Sequence, residues 1–328
     1  MVIDPELLER FRADLSALWL DDDEPEAKLG IALSGGPDSL ALLLLAASAL
    51  PGRVEAATVD HGLREESAAE AAHCASTCAQ LGLPHKTLPV QLAEGNTQSR
   101  AREARYAALS DWATDRGIDT ICTAHHRDDQ VETLLMRLNR GSGLSGLAGV
   151  RAAGLAPQGG VVVLRPLLDW SREELASIVA ASGFPAVTDP SNEDAAYDRV
   201  RMRKALAKAD WLQPEAIARS AQVLADMEDD ILGLAAEDLE RAGKSNGERF
   251  EYRPLARSAV YRPSIWGEII VMIFDGLGRS ILRSDAVRMA EALMDAEPIN
   301  IGGIHASPSE DSDGPVWIFA PENPRRTG

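Results

Sequence analysis

Short apolar runs, each closed by glycine or by polar residues, alternate with longer stretches of helical periodicity over much of the chain. Leu29 to Leu33 is the first run, and Arg53 to Asp60, Pro84 to Val90, Thr120 to Ala124 and Val161 to Leu164 follow it. Their length fits strands, and Ala56, Ala57 and Val59 of the second suit a sheet covered on both faces. Between them, Ser39 to Leu50, Glu66 to Leu81, Thr97 to Arg116 and the stretch opening at His125 read as helices. Ser171-Arg-Glu-Glu174 is a capping box that starts another, running to Ser182. Strand and helix in strict alternation predict an α/β fold with a doubly wound, mostly parallel, five-stranded sheet and right-handed crossovers.

Residues 29–206 are therefore expected to form one domain. Residues 1–28 carry Leu7, Leu8, Phe11, Leu15 and Leu18 at helical spacing and then the acidic run Asp21 to Glu24, which reads as a helical extension and a solvated connector. Residues 207–328 are expected to form a smaller, mainly helical domain, with helices at Pro214 to Arg241, Ile265 to Phe274 and Ser284 to Ala296. Val316 to Phe319 reads as a short strand, and Ser307 to Pro315 and Pro321 to Gly328 as flexible.

At 328 residues the chain exceeds the usual size of one domain, which agrees with that division. Leu40 to Leu50 is the most apolar window, but it is too short to span a bilayer, and Met1 to Asp21 lacks the pattern of a secretory signal. A cytoplasmic protein without membrane contact is expected. Three cysteines, Cys74, Cys78 and Cys122, have no spacing of a disulfide framework and read as small core residues in a reducing compartment. The formal net charge of −18 argues against a protein that coats nucleic acid, though it leaves room for a local basic face.

The candidate chemistry starts where the first strand turns into a helix, at Ser34-Gly-Gly-Pro-Asp-Ser39. Gly35 and Gly36 let backbone N–H groups approach an anion, and the following helix points its positive end at the same place. Neither the Walker A pattern nor the Gly-x-Gly-x-x-Gly fingerprint is present. In place of the Walker lysine stands Asp38, a carboxylate tolerable beside polyphosphate only with a cation between them, so the loop implies Mg²⁺. Asp60 and His61 lie at the carboxyl end of the second strand, where open α/β sheets collect ligands, and are candidates to border a nucleotide.

The string His125-His-Arg-Asp-Asp-Gln-Val-Glu-Thr133 opens a helix at the same edge of the sheet. Its histidines and aspartates raise zinc as a rival, but the partner patterns of zinc sites are missing. The glycine-rich stretch Arg140 to Gly149 is flexible by composition, with Arg137, Arg140 and Arg151 on its flanks. Arg199, Arg201, Arg203, Lys204 and Lys208 then concentrate positive charge in an otherwise acidic chain.

Ser34 to Ser39 resembles the pyrophosphate loop of the N-type ATP pyrophosphatases, which cleave ATP between its α and β phosphates to adenylate a substrate. Asp60-His-Gly-Leu-Arg64, Ala101-Arg-x-x-Arg-Tyr106, His125-His-x-Asp-Asp-Gln-x-Glu-Thr133, Arg140-Gly-Ser-Gly143, Pro166-Leu-Leu168 and Asp189-Pro-Ser-Asn192 follow in order. Together they resemble, over roughly residues 29–206, the tRNA(Ile)-lysidine synthetases. Val200 departs from that family's pattern, which has asparagine there, and residues 207–328 carry nothing as specific.

The resemblance implies an enzyme that joins free L-lysine to C2 of the wobble cytidine of tRNA(Ile) with a CAU anticodon, through an adenylated cytidine, releasing AMP and pyrophosphate. It implies ATP held by Ser34, Gly35, Gly36, Pro37, Asp38, Ser39, Asp60, His61 and Arg105, with Mg²⁺ on Asp38 and Asp129. Asp38, His125, Asp129 and Glu132 would be catalytic, and Arg137, Arg140, Arg199, Arg201 and Arg203 would contact tRNA or phosphate. Residues 207–328 would help bind tRNA, and a homodimer is one arrangement left open. Two alternatives stand beside this reading. A tRNA 2-thiolase of the same superfamily would need cysteines to carry sulfur or a cluster, and a non-catalytic nucleotide-binding module would need no 125–133 string.

Overall fold

Alternate residues of the first strand, β1 (Leu29–Ala32), face opposite sides of a sheet that is covered on both. The computed structural model describes residues 3–62, 65–90, 97–157, 159–187, 198–254 and 263–322. They fall into two compact units, Met1–Ala225 and Asp226–Gly328.

In the first unit β1 pairs in parallel with β2 (Val54–Asp60) on one side and β4 (Thr120–Cys122) on the other. β3 (His85–Pro89) adds in parallel to β2, and β6 (Val162–Leu164) to β4. A sixth strand, β5 (Ala153–Leu155), closes the edge antiparallel to β6, one strand more than the sequence pattern suggests. It escapes notice because it is short, exposed and built from Ala-Gly-Leu. The order β3-β2-β1-β4-β6-β5 places the topological switch between β1 and β4.

On one face, α2 (Pro37–Ala49) is buried from Ser39 to Ala46 among α1 (Pro5–Ser16), α7 (Arg172–Ser182) and the sheet. Phe11, Leu15 and Trp170 belong to the same core, so the N-terminal helix is part of this unit's packing. Arg10 fastens it, donating to Glu174 at 2.7 Å and to the Asp169 carbonyl at 2.9 Å. α3 (Glu65–Leu81) contributes Cys74 and Cys78 to this face. On the other face, α4 (Thr97–Arg116) packs Tyr106, Leu109 and Trp112 on Ala32, Ile121 and Val163. Gly30 makes room there, since a Cβ would lie 2.9 Å from Ile121 and 3.0 Å from Trp112. The remaining helices are α5 (Arg127–Asn139), the single turn α6 (Leu144–Leu147) and α8 (Asp198–Leu206).

The division between units falls inside α9 (Pro214–Ala242). The second unit holds the two expected helices, α10 (Pro263–Gly276) and α11 (Arg283–Met294), against an antiparallel sheet that was largely unexpected. Its order is β7-β8-β11-β10-β9, from β7 (Gly243–Asn246), β8 (Arg249–Tyr252), β9 (Ile299–Ile301), β10 (Ile304–Asp311) and β11 (Gly314–Pro321). Residues 307–311, expected to be flexible, are instead strand, paired with 314–318. Ile304 and Ala306 of β10 point into a core of Phe274, Met289, Tyr252 and Trp317. Its outer residues are Ser, Pro, Glu and Asp, so the strand signal is confined to its first few positions.

Candidate functional site

Two helices begin at the switch point, α2 after β1 and α5 after β4, so two positive helix ends meet in one crevice. The β1–α2 turn is shaped before any ligand arrives. Gly35 sits at φ +84°, and a Cβ there would come within 3.0 Å of Cys74 Sγ and 3.1 Å of Val187 Cγ2. Its carbonyl accepts from the Val187 N–H at 2.8 Å. Ser39 Oγ accepts from the Ser34 N–H at 3.2 Å and the Ser34 hydroxyl at 3.0 Å, and donates to the Gly36 carbonyl at 3.0 Å. Pro37 in the first turn fixes the entry into α2.

Asp38, in that first turn, faces α5. One carboxylate oxygen, Oδ1, is buried without a hydrogen-bond partner among the described residues, and Oδ2 lies 3.4 Å from His126 Nε2. His126 is itself buried, with Asp128 Oδ2 3.5 Å from Nδ1 and Asp129 Oδ2 3.5 Å from Nε2. Burial disfavours charge on this ring, but Asp128, Asp38 and Asp129 outweigh it and push its pKa up to about 9. At 3.4–3.5 Å these contacts are long for hydrogen bonds, so the three carboxylates act on His126 chiefly by favouring its charged form. Asp128 is held well below the usual carboxylate range by His126 and by the Arg172 backbone N–H, which donates to it at 2.9 Å.

His125 behaves in the opposite way. Burial pushes its pKa well down, Asp129 pulls against this, and Arg165, Arg105 and Arg102 add to the depression. It is neutral at physiological pH, with Nδ1 2.9 Å from Thr123 Oγ1. Asp129 accepts from the His126 backbone N–H at 3.1 Å, which fixes the start of α5.

Glu132, one turn further along α5, is almost fully buried and faces arginines. Arg203 Nε donates to it at 2.9 Å and Arg199 Nε at 3.0 Å, with an Arg172 terminal nitrogen at 3.7 Å. The other named arginines have different partners. Arg137 donates to the Gly146 and Gly149 carbonyls, and Arg140 and Arg201 both pair with Asp198. Gln130 bonds both backbone groups of Val150, at 2.6 and 2.7 Å. The glycine-rich stretch that looked flexible is thus tied to α5 at several points.

Beside the loop, Ala32, Ser34, Thr58, His61, Ser67 and Arg105 line a pocket of about 220 Å³ at the carboxyl ends of β1 and β2. Arg105 has no hydrogen-bond or ion-pair partner among the described residues, and burial lowers its pKa. Burial, reinforced by Arg105, lowers that of His61, whose Nδ1 is also unpartnered there. An unopposed guanidinium in a concave site beside a phosphate loop is arranged for an anionic ligand. Asp60 is occupied locally, accepting from the Gly62 N–H at 2.9 Å and Ser67 Oγ at 2.7 Å.

The crevice thus gathers Ser34 to Ser39, His125, Asp129 and Glu132, as the sequence suggests, together with residues it did not single out. His126 and Asp128 stand in the same string, and the three-residue offset between His126 and Asp129 is the capping signal that would have marked His126 as an inward-facing helix start. Arg172 arrives from α7, and no local pattern announces it. Leu63, Arg64 and Asp189 to Asn192 lie outside the described residues. No three His, Cys, Asp or Glu side chains among the described residues are grouped to hold a metal ion. The orphan oxygen of Asp38, with Asp129 nearby, fits Mg²⁺ bound by one or two carboxylates and completed by phosphate oxygens and water.

Residues 7–210 match the family model of the PP-loop domain. The tRNA(Ile)-lysidine synthase of Novosphingobium aromaticivorans is 52% identical over 219 residues, which cover 66% of each chain. That of Zymomonas mobilis is 45% identical over 226 residues, covering 67% of this chain and 68% of its own. The matches thus span about two thirds of the relatives' length. A U34-tRNA thiolase from Methanococcus maripaludis with a [4Fe-4S] cluster shares the fold, with a TM-score of 0.56 at 18% identity, over 67% of this chain and 78% of that one. With a family model spanning most of its first unit and relatives of this identity, the chain belongs to the PP-loop domain family and, within it, to the tRNA(Ile)-lysidine synthases.

Proposed function

We propose that this protein ligates free L-lysine to C2 of the wobble cytidine of a tRNA(Ile) with a CAU anticodon, using ATP, in the cytoplasm. The observation that carries the reading is the pre-shaped loop around Gly35, with the unpartnered oxygen of Asp38 turned toward the start of α5. In the first step the cytidine C2 oxygen attacks the α phosphorus of ATP and pyrophosphate leaves. In the second the lysine ε-amine attacks C2, and AMP departs with that oxygen. Backbone N–H groups of Gly35, Gly36, Asp38 and Ser39, at the α2 N-terminus, would hold phosphate, and Arg105 and His61 border the nucleotide pocket. Asp38 and Asp129 would hold Mg²⁺, which supplies charge neutralisation on the phosphates. Burial keeps His125 neutral, so it can serve the reacting centre as a hydrogen-bonding group, while Asp128, Asp38 and Asp129 favour charge on His126, which balances their carboxylates. The second unit, carrying the C-terminal part, is proposed to help bind tRNA.

All three cysteines are buried and unpaired, and burial raises the Cys74 thiol pKa, that of Cys78 to about 12, and that of Cys122 further still. Such thiols make poor sulfur carriers. No helix among the described residues is long and apolar enough to cross a membrane. The test is to incubate purified protein with ATP, Mg²⁺, lysine and the tRNA transcript. The expected product is a wobble cytidine heavier by one lysine less one water, formed equally by a variant with all cysteines changed to serine. A sulfur-for-oxygen mass change, or loss of activity in a well-folded cysteine-free protein, overturns the proposal.

A further inference from the structure

We propose that Glu132 is a positioning residue, which binds neither metal nor lysine but locks Arg172, Arg199 and Arg203 into one cluster that receives phosphate. The inference rests on the ligation reading above and gives it a device for holding polyphosphate. Glu132 is 1% exposed, and a carboxylate so buried persists only where its charge is matched. Here both oxygens are engaged, Oε1 by Arg203 Nε and Arg172, Oε2 by Arg199 Nε at 3.0 Å and an Arg203 terminal nitrogen at 3.5 Å.

Each of the two shortest bonds uses Nε, the inner donor of the guanidinium fork. The three arginine side chains stay 33–44% exposed, so each keeps a solvent-facing part even though Arg172 and Arg203 also turn a terminal nitrogen to Glu132 and Arg199 turns one to Thr133 Oγ1 at 3.0 Å. A lysine ammonium approaching Glu132 would meet three like charges. Three guanidiniums against this one carboxylate leave a surplus of positive charge, with Asp129 touching only Arg199, at 3.7 Å. Polyphosphate or a phosphodiester is the ligand that completes such a balance, in the bidentate manner for which arginine is suited. The parts also come from separate elements. Glu132 stands on α5, Arg199 and Arg203 on α8, and Arg172 begins α7 with its backbone N–H held by Asp128. Glu132 is the one buried carboxylate that all three guanidiniums face.

The test is Glu132→Gln, assayed separately for tRNA-dependent pyrophosphate release and for lysine transfer. We expect kcat/KM for ATP in pyrophosphate release to fall about 10- to 100-fold, the usual cost of losing an orienting partner, while KM for lysine changes by less than about twofold. In an Arg199→Gln/Arg203→Gln background the same substitution should add less than about threefold, because most of what it acts through is already gone. That comparison also serves if Glu132→Gln alone folds poorly, since removing the two guanidiniums removes most of the unmatched charge. Normal pyrophosphate release with a raised KM for lysine, or full additivity with the arginine substitutions, would overturn the proposal. A wild-type protein that forms no lysidine would instead defeat the ligation reading itself.

Discussion

Gly35→Ala tests whether the phosphate loop is held in shape by backbone conformation and packing. Two penalties act together. A residue with a Cβ at φ +84° incurs about 1–2 kcal/mol of left-handed strain. The added methyl also meets Cys74 Sγ at 3.0 Å and Val187 Cγ2 at 3.1 Å, on two sides of a packed region. Overpacking of this kind costs about 1–3 kcal/mol. If the loop stayed in place, the sum would be about 3 kcal/mol, which for a unit of this size lowers the melting temperature by roughly 6–12 °C. If the loop instead moved to relieve it, the Gly35 carbonyl would leave the Val187 N–H and the amides would lose their aim at phosphate. ATP affinity would then fall at least about tenfold, 1.4 kcal/mol per factor of ten. Thermal denaturation with and without ATP, and direct titration of the nucleotide, separate the two outcomes. Adding Cys74→Ala should recover only the part due to the sulfur contact, since neither φ nor Val187 is relieved. A Gly35→Ala protein with unchanged melting temperature and unchanged ATP affinity would refute the reasoning.

Asp38→Ala should leave the fold intact and lower pyrophosphate release by at least about 100-fold, because the carboxylate faces the crevice and not the core; near-normal release from a folded variant would contradict its proposed place beside the cation. Changing Arg199 and Arg203 to glutamine should weaken tRNA binding and flatten its salt dependence by about 0.7–0.9 log units of slope for each phosphate that the variant no longer neutralises. An unchanged slope in salt titrations would place the basic face elsewhere. Glu55 supplies a pH prediction: hydrogen bonds from Arg116 at 2.8 and 3.0 Å, opposed by burial and assisted by Lys28, lower its pKa from the usual glutamate value. A lowered folded-state pKa gives stability that is present above the unfolded value and lost as pH falls through the folded one. The melting-temperature gap between wild type and Glu55→Gln should therefore be full at neutral pH and close below about pH 4. A gap that stays constant down to acid pH would show that the carboxylate charge contributes nothing.

The parallel part of the first sheet was legible because its central strands are short, mostly apolar runs bounded by glycine or polar residues, and parallel topology follows once helices intervene. The second unit was harder because its sheet is assembled from hairpins. Its signals sit in the turns. β7 and β8 join through Gly247-Glu248 with Gly247 at φ +66°, and β9 and β10 through Gly302-Gly303, both with positive φ. Two-residue loops with glycine at such positions are strong hairpin markers, and reading them would have recovered four strands that helical periodicity hides. Within the site, Ser34 to Ser39 could be placed from local sequence because loop and helix are contiguous. The clustering of Glu132 with Arg172 could not, since 40 positions of chain separate them and the encounter depends on where the start of α7 is set by its packing on α2.

The arginine face shows most clearly where pattern stops being informative. Five arginines in two clusters suggest a broad basic surface for tRNA, yet charge counts along a sequence do not reveal which charges are already matched. Arg137 is committed to loop carbonyls, and Arg140 and Arg201 share Asp198. The group around Glu132 differs in being concentrated at the crevice, where three guanidiniums meet Glu132 and, through Arg199 alone, Asp129. Nonspecific affinity for RNA grows with the number of phosphates neutralised, so a protein of net charge −18 with so compact a positive centre should hold RNA weakly at arbitrary positions. On the proposed reading, selectivity would come from placing one phosphate group, or one polyphosphate, at the cluster formed by Glu132 of α5, Arg172 of α7 and Arg199 and Arg203 of α8. The proposed cluster lies beside Asp38, whose charge acts on Arg203, and so beside the phosphate loop where the proposed chemistry develops its negative charge.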